Sequence, residues 1–289
     1  MQLYTIEAGT FKLDGGAMFG VVPKSMWNKL NPADENNLCT WALRCLLLED
    51  EGRLILVDNG VGDKQDSKFF GHYGLSGETD INKALAVYGF HSSDITDVFL
   101  THLHFDHCGG SIKRVGDKFL PAFENAIYWS NEQHWQWATE PNDREKASFL
   151  KENILPIQES GQLQFISLPT GGLEQDGKLG VSKFTENISV RFVNGHTDKM
   201  MLPQIQYKGS TIVYMADLLP SLNHLPLPYV MAYDMFPLTT LKEKKSFLQE
   251  AVEKDYLLYF EHDAFNECCT LQQTEKGVRH KSTFKLSEF

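Results

Sequence analysis

Five apolar, strand-like runs of this chain each end on an acidic or imidazole side chain, and that recurrence limits its fold more than any other feature. The runs are "RLILVDNG" (53 to 60) with Asp58, "DITDVFLTH" (94 to 102) with His102, "ISVRFVNGHT" (188 to 197) with His196, "STIVYMAD" (210 to 217) with Asp217, and "YLLYFEHDAF" (256 to 265) with His262. Apolar, β-branched runs bounded by turn residues read as buried strands. In layered α/β sheets ligands gather beyond strand ends, where loops converge on bases that the strands hold rigid. The five ends are therefore expected to share one edge.

The rest of the chain fills in an α/β pattern. "WALRCLLLED" (41 to 50) reads as a strand and "TDINKALAVYGF" as a helix, which makes a β-β-α-β start. "NEQHWQWATE" and "DREKASFLKENILPIQ" have helical spacing between the short strands "ENAIYWS" and "LQFISL", predicting a helical insertion at about 125–168 anchored by Trp129, Trp135 and Trp137. Lys208-Gly209-Ser210 predicts a hairpin, and the Pro-rich "LPSLNHLPLPYVMAYDMFP" excludes regular structure. "TTLKEKKSFLQEAVEKD" predicts a helix with a Thr cap and Glu243 three residues after Thr240, and "CCTLQQTEKGVRHKS" a last hairpin. No repeat interrupts the 289 residues, so a single domain over 1–289 is expected.

The densest chemistry is in "THLHFDHCGG" (101 to 110), which holds His102, His104, Asp106 and His107. Residues two apart on an extended segment share a face, whereas a turn swings Asp106 and His107 toward a second point. One short loop then serves two metals. Imidazole nitrogen with carboxylate oxygen suits zinc, manganese, cobalt or iron, and the lack of thiolate argues against a closed structural zinc site. A lone histidine near a strand end is a satisfied rim or core group. Three histidines and an aspartate before Gly109-Gly110 are a different matter.

Charge narrows the partners. A formal net charge of -11, from 27 basic and 38 acidic residues, opposes a phosphate backbone, so nucleic acid is not expected. No apolar run reaches bilayer-spanning length, and the first residues lack a basic leader and an apolar core, which predicts no membrane partner. Five cysteines without CxxC spacing suit reduced thiols and a cytoplasmic chain.

"THLHFDHCGG" resembles the HxHxDH signature of the metallo-β-lactamase-fold hydrolases, including the Gly pair that often follows it. Later landmarks of that family stand in order: Asp58 in "DNG", His196 in "GHT", Asp217 in "AD" and the strand-end His262. The later intervals look like those of the lactonase, phosphotriesterase and glyoxalase II-like branches, and the chain as a whole is most similar to the lactonase and phosphotriesterase-like branch. The resemblance implies a four-layer αβ/βα sandwich, with two packed mixed β-sheets and helices outside. It implies that His102, His104 and His196 bind one ion, that Asp106, His107 and His262 bind another, that Asp217 bridges them, and that Asp58 orients a ligand histidine. The cofactor is then two divalent ions, zinc foremost, with manganese, iron or cobalt as alternatives. The implied activity is hydrolysis of a small lactone, carboxylic ester or phosphotriester by a metal-bridging hydroxide, with Asp106 or a second water delivering a proton. The alternatives are a glyoxalase II-like thioester hydrolase, which usually adds a basic helical C-terminal region where this chain reads as hairpin, and a non-catalytic metal-binding member, which would have lost ligands.

Substrate choice rests on two further segments. The N-terminal part, about 1–38, includes "GGAMFGVVPKSMWNK" (15 to 29) with Met18, Phe19 and Trp27, and resembles a segment beside the pocket in that branch. The other reading is packing in the core or at a dimer interface, and both hold if a homodimer closes the pocket. After Asp217 come His224, Tyr229 and Tyr233 as a pocket wall. Lactonases of this group carry a Tyr three residues beyond the bridging aspartate, where this chain has Pro220. A Pro donates no proton, so Tyr229 or His224 is left to fill that space from another position.

Overall fold

The computed structural model describes residues 1–169, 174–175 and 178–289. They divide into two compact units, Met1–Phe11 with Ala42–Ser167 and Lys12–Trp41 with Leu168–Phe289.

The first unit carries a six-stranded sheet. Its strands are β1 (Gln2–Asp14), β2 (Leu38–Asp50), β3 (Arg53–Val57), β4 (Asp97–Phe99), β7 (Ile127–Ser130) and β8 (Leu163–Phe165), in the order β1-β2-β3-β4-β7-β8. A separate hairpin joins β5 (Ile112–Val115) to β6 (Lys118–Pro121). β2 and β3 are antiparallel, whereas β3, β4, β7 and β8 run parallel. Parallel strands are covered on both faces and so read as unbroken apolar runs, which is why Leu54–Val57 and Asp97–Phe99 are all buried. The buried carboxylate in that run, Asp97, is held by two bonds from Arg53 (2.9 and 2.6 Å) and one from the Trp129 indole (2.7 Å). Because Val57 lies beside Phe99 in register, Asp58 and Thr101 leave the sheet at the same edge.

Short helices connect these strands: α3 (Ser67–Tyr73), α4 (Ile81–Ala86), α5 (Phe105–Cys108), α6 (Glu132–Thr139) and α7 (Lys151–Glu159). The segment expected at 125–168 supplies α6 and α7, and its flanking strands extend the main sheet. The second of its helices starts later than the spacing predicts. Asn142 accepts the backbone N–H groups of Arg144 and Glu145, a local turn that competes with helix.

In the second unit α1 (Gly15–Phe19) and α2 (Lys24–Trp27) occupy the N-terminal stretch. The pair β9 (Glu174–Gln175) and β10 (Lys178–Leu179) stands apart from a seven-stranded sheet. That sheet consists of β11 (Val181–Lys183), β12 (Ile188–Val193), β13 (Met200–Tyr207), β14 (Ser210–Tyr214), β15 (Leu257–Tyr259), β16 (Cys268–Thr274) and β17 (Gly277–Phe284), adjacent in that order. β14 and β15 are parallel and every other neighbouring pair is antiparallel. Two antiparallel steps give β12 the direction of β14, so β12, β14 and β15 open at one edge with His196, Asp217 and His262 beyond them. Each sheet thus opens its share of the strand ends at one edge, with Asp58 and His102 following strands of the first and His196, Asp217 and His262 following strands of the second. A strand end looks the same in sequence whichever sheet receives it.

The helix α8 (Pro237–Glu253) begins three residues before Thr240, with Pro237 in its first turn. The expected Thr cap is therefore inside the helix. Glu243 instead accepts the backbone N–H groups of Asn194 and Gly195 (2.7 and 2.9 Å). The Pro-rich segment holds one short 3-10 turn, Leu222–His224. It is tied down by Lys244, whose ammonium donates to the carbonyls of Pro226 and Tyr229. All five cysteines are buried thiols. Among the described residues no helix is long and apolar enough to cross a membrane.

Candidate metal centre

Both units bring buried donors to a strand edge, and each set can be built from its own elements. In the first unit the chain leaves β4 extended through Thr101 and His102, then turns into α5, which carries Asp106 and His107. Two close contacts join these donors. Nε2 of His102 lies 3.1 Å from Nδ1 of His104. Nε2 of His107 lies 3.7 Å from a carboxylate oxygen of Asp106. All four side chains are buried.

The remaining ring nitrogens of these histidines are held from behind. Asp58 accepts from Nδ1 of His107 (3.1 Å), from the Thr101 backbone N–H (2.8 Å) and from the Thr101 hydroxyl (2.7 Å). Asp58 reaches that position with φ at +55°, the left-handed region that a non-glycine residue enters at a cost. Nε2 of His104 donates to Glu145 (2.9 Å), and the Leu103 backbone N–H donates to Nε2 of His134 (2.9 Å). A carboxylate behind an imidazole fixes its tautomer and points its other nitrogen outward as a ligand.

The loop is shaped by its glycines. A Cβ on Gly109 would stand 2.2 Å from the carbonyl oxygen of Val61, and one on Gly110 would stand 2.2 Å from that of Asn59. The Gly109 carbonyl also accepts from the ammonium of buried Lys64, which burial pushes down to about 8. Cys108 is packing in this loop, its thiol pushed up to about 12 by burial.

In the second unit Asp217 lies between two imidazoles. One oxygen is 3.0 Å from Nε2 of His196 and the other is 3.3 Å from Nε2 of His262. Nδ1 of His196 donates to Asp234 at 2.8 Å. Burial works to lower the His196 pKa, yet the carboxylates of Asp217 and Asp234 outweigh it and push it up to about 10. Such surroundings favour a cation. Glu243, beneath the same loop, is pushed up to about 7 by burial, against the two backbone N–H groups it accepts. Donor chemistry fits hard to borderline divalent ions: imidazole nitrogen and carboxylate oxygen in both units, without thiolate.

The expected pocket residues form a packed aromatic group in the second unit. Phe19 stacks on His224 (4.7 Å, 3° between planes) and on Trp27 (5.4 Å, 11°), with Tyr229 edge-on at 6.1 Å. Met18, Phe19, Trp27 and His224 are buried, Tyr229 is half-buried and Tyr233 is exposed. His224 is held by Ser221 and by the Met18 carbonyl, and burial pushes its pKa down to about 3, which keeps the ring neutral. Sequence reasoning did not find Glu145 or Asp234, and read Trp137 only as an anchor of the helical insertion. They lie in stretches without strand periodicity, and only the fold carries their carboxylates and indole toward the histidines.

Comparison with known proteins agrees with this chemistry. A match to the family described as the metallo-beta-lactamase superfamily covers residues 44–262. An N-acyl homoserine lactonase of Bacillus cereus is 28% identical over 165 residues, 54% of this chain and 56% of that protein. One of Bacillus thuringiensis is 32% identical over 120 residues, 38% of this chain and 44% of that protein. The chain thus spans about half the length of the curated relatives it matches. The solved structure of a probable metal-dependent hydrolase from Staphylococcus aureus has a TM-score of 0.85 at 26% identity, covering 98% of this chain and 96% of that one. AidC, described as a dizinc quorum-quenching lactonase in complex with a product, has a TM-score of 0.76 at 19% identity, covering 96% and 92%, a likeness of fold.

Proposed function

The chain belongs to the metallo-beta-lactamase superfamily and has its fold, and from that premise we propose that it is a dinuclear metal-dependent hydrolase of small ester-type substrates. In this reading His102, His104 and His196 hold one ion, Asp106, His107 and His262 hold the other, and Asp217 bridges them. The observation that carries it is Asp217, whose two oxygens address histidines from different strand ends. A carboxylate so placed offers one oxygen to each of two cations and offsets their mutual repulsion. Zinc is the proposed ion, with manganese, iron and cobalt as other fits.

Bound divalent ions at such a site lower the pKa of water to about 7 and polarise a carbonyl or phosphoryl oxygen. The chain's own residues do the rest. Asp58, Glu145 and Asp234 fix the ring orientations of His107, His104 and His196. Asp106 is the proposed proton carrier to the leaving group. Met18, Phe19, Trp27 and His224 support the substrate wall from behind, and Tyr229 and Tyr233 are its more accessible phenols.

The curated relatives are lactonases, which puts a lactone first among substrates. Pro220 supplies no hydroxyl at the position where lactonases of this group carry Tyr, so carboxylic esters and phosphotriesters stand beside it. Metal analysis of the purified protein together with a lactone, ester, thioester and phosphotriester panel tests the proposal. Two equivalents of divalent metal and metal-dependent turnover of an oxygen ester are expected. Failure to turn over any substrate after reconstitution with zinc, manganese, cobalt or iron would sink it, and turnover of the thioester alone would transfer it to the glyoxalase II-like class.

A further inference from the structure

We propose that Glu145 is a positioning residue that sets the tautomer and basicity of His104, and that the segment after α6 exists in part to deliver it. The inference rests on the metal-site reading above. Glu145 is 2% exposed, and a carboxylate so buried stands only where its oxygens are held. One oxygen takes the Trp137 indole N–H (2.7 Å) and the Asn142 amide (3.2 Å). The other takes Nε2 of His104 at 2.9 Å. A carboxylate only accepts, so the His104 proton sits on Nε2, and the lone pair of Nδ1 faces Nε2 of His102, 3.1 Å away.

Several other contacts pin the same segment against the motif. The Phe105 backbone N–H donates to the Ser148 carbonyl (3.0 Å), Phe149 packs on the His104 ring at 4.8 Å, and His134 accepts from Leu103. Glu145 therefore has a fixed address relative to His104, and Trp137 and Asn142 hold its far oxygen so that the near one cannot swing away. The charge of Glu145, partly conveyed through the imidazole, strengthens Nδ1 as a donor to a cation.

Zinc affinity tests this without any substrate. Metal-free protein is titrated with zinc against a chromophoric chelator, for the native chain, Glu145→Gln and Glu145→Ala. Glu145→Ala is expected to weaken one of two zinc equivalents by about 100-fold and Glu145→Gln by about 10-fold, the range seen when the partner of a metal ligand is removed; the other equivalent keeps its affinity. A purely structural role would be rescued by the near-isosteric Gln. Native affinity in Glu145→Gln therefore overturns the proposal, including in the case that Glu145→Ala does not fold. A native chain that binds two zinc equivalents while the variants match it defeats this inference alone, and a native chain that binds none defeats the metal-site reading with it.

Discussion

Among single side chains, Asp217 has the largest predicted effect. Asn keeps its shape but carries no charge to set between two cations, so Asp217→Asn is expected to lose at least one metal equivalent and to lower kcat/KM by more than about 100-fold, beyond what removing a partner of a ligand costs. Metal analysis alongside turnover checks both parts, and an Asn variant with full metal and full rate would contradict the bridging role. The proposed donors were legible because each closes an apolar run or crowds into "THLHFDHCGG". The residues behind them divide: Asp58 was legible at a strand end, whereas Glu145 and Asp234 were not, because hydrogen-bond partners brought from distant loops leave no local spacing.

At the level of elements, α8 is joined to β12 through Glu250. Burial works to raise its pKa, but bonds from Lys254, Arg191 and Tyr256 outweigh it and hold the carboxyl down at about 2. Arg191 also lies over the Phe247 ring at 5.6 Å. A depressed carboxylate stabilises the fold fully above its ordinary range near 4.5 and loses that contribution as pH falls toward about 2. Urea unfolding between those pH values should show the native chain losing on the order of 3 kcal/mol relative to Glu250→Gln, at about 1.4 kcal/mol per unit; parallel pH profiles for the two proteins would rule the link out. Helical periodicity located α8 but misplaced its start. Thr240 and Glu243 imitate a capping box, and only the packed loop at Asn194 and Gly195 reveals that Glu243 serves a different backbone.

For the whole molecule, metal held by the proposed ligands should contribute to the stability of the chain. Binding to the folded state alone adds about 2.7 kcal/mol when free ligand is 100 times Kd. Removing metal with a chelator is expected to lower Tm, and zinc to restore it in a concentration-dependent way. A Tm indifferent to both, in protein shown to bind zinc, would separate metal binding from folding. The α/β class was legible from strand runs and connecting helices, and the mixed character of the sheets only through the family resemblance. The allocation of strands was not, since the parallel pairing of β14 with β15 depends on contacts across 40 residues or more of chain.

The glycine pair after the motif bears on what selection can reach in this chain. Gly109 and Gly110 lie so close to the carbonyls of Val61 and Asn59 that no side chain fits at either place. A saturation library screened for folded protein should return glycine alone at both positions, while exposed Tyr233 accepts many residues. Lineages descended from such a sequence would vary in the exposed part of the Pro-rich segment, with the proposed metal-bearing loop inherited unchanged because its backbone has nowhere else to go.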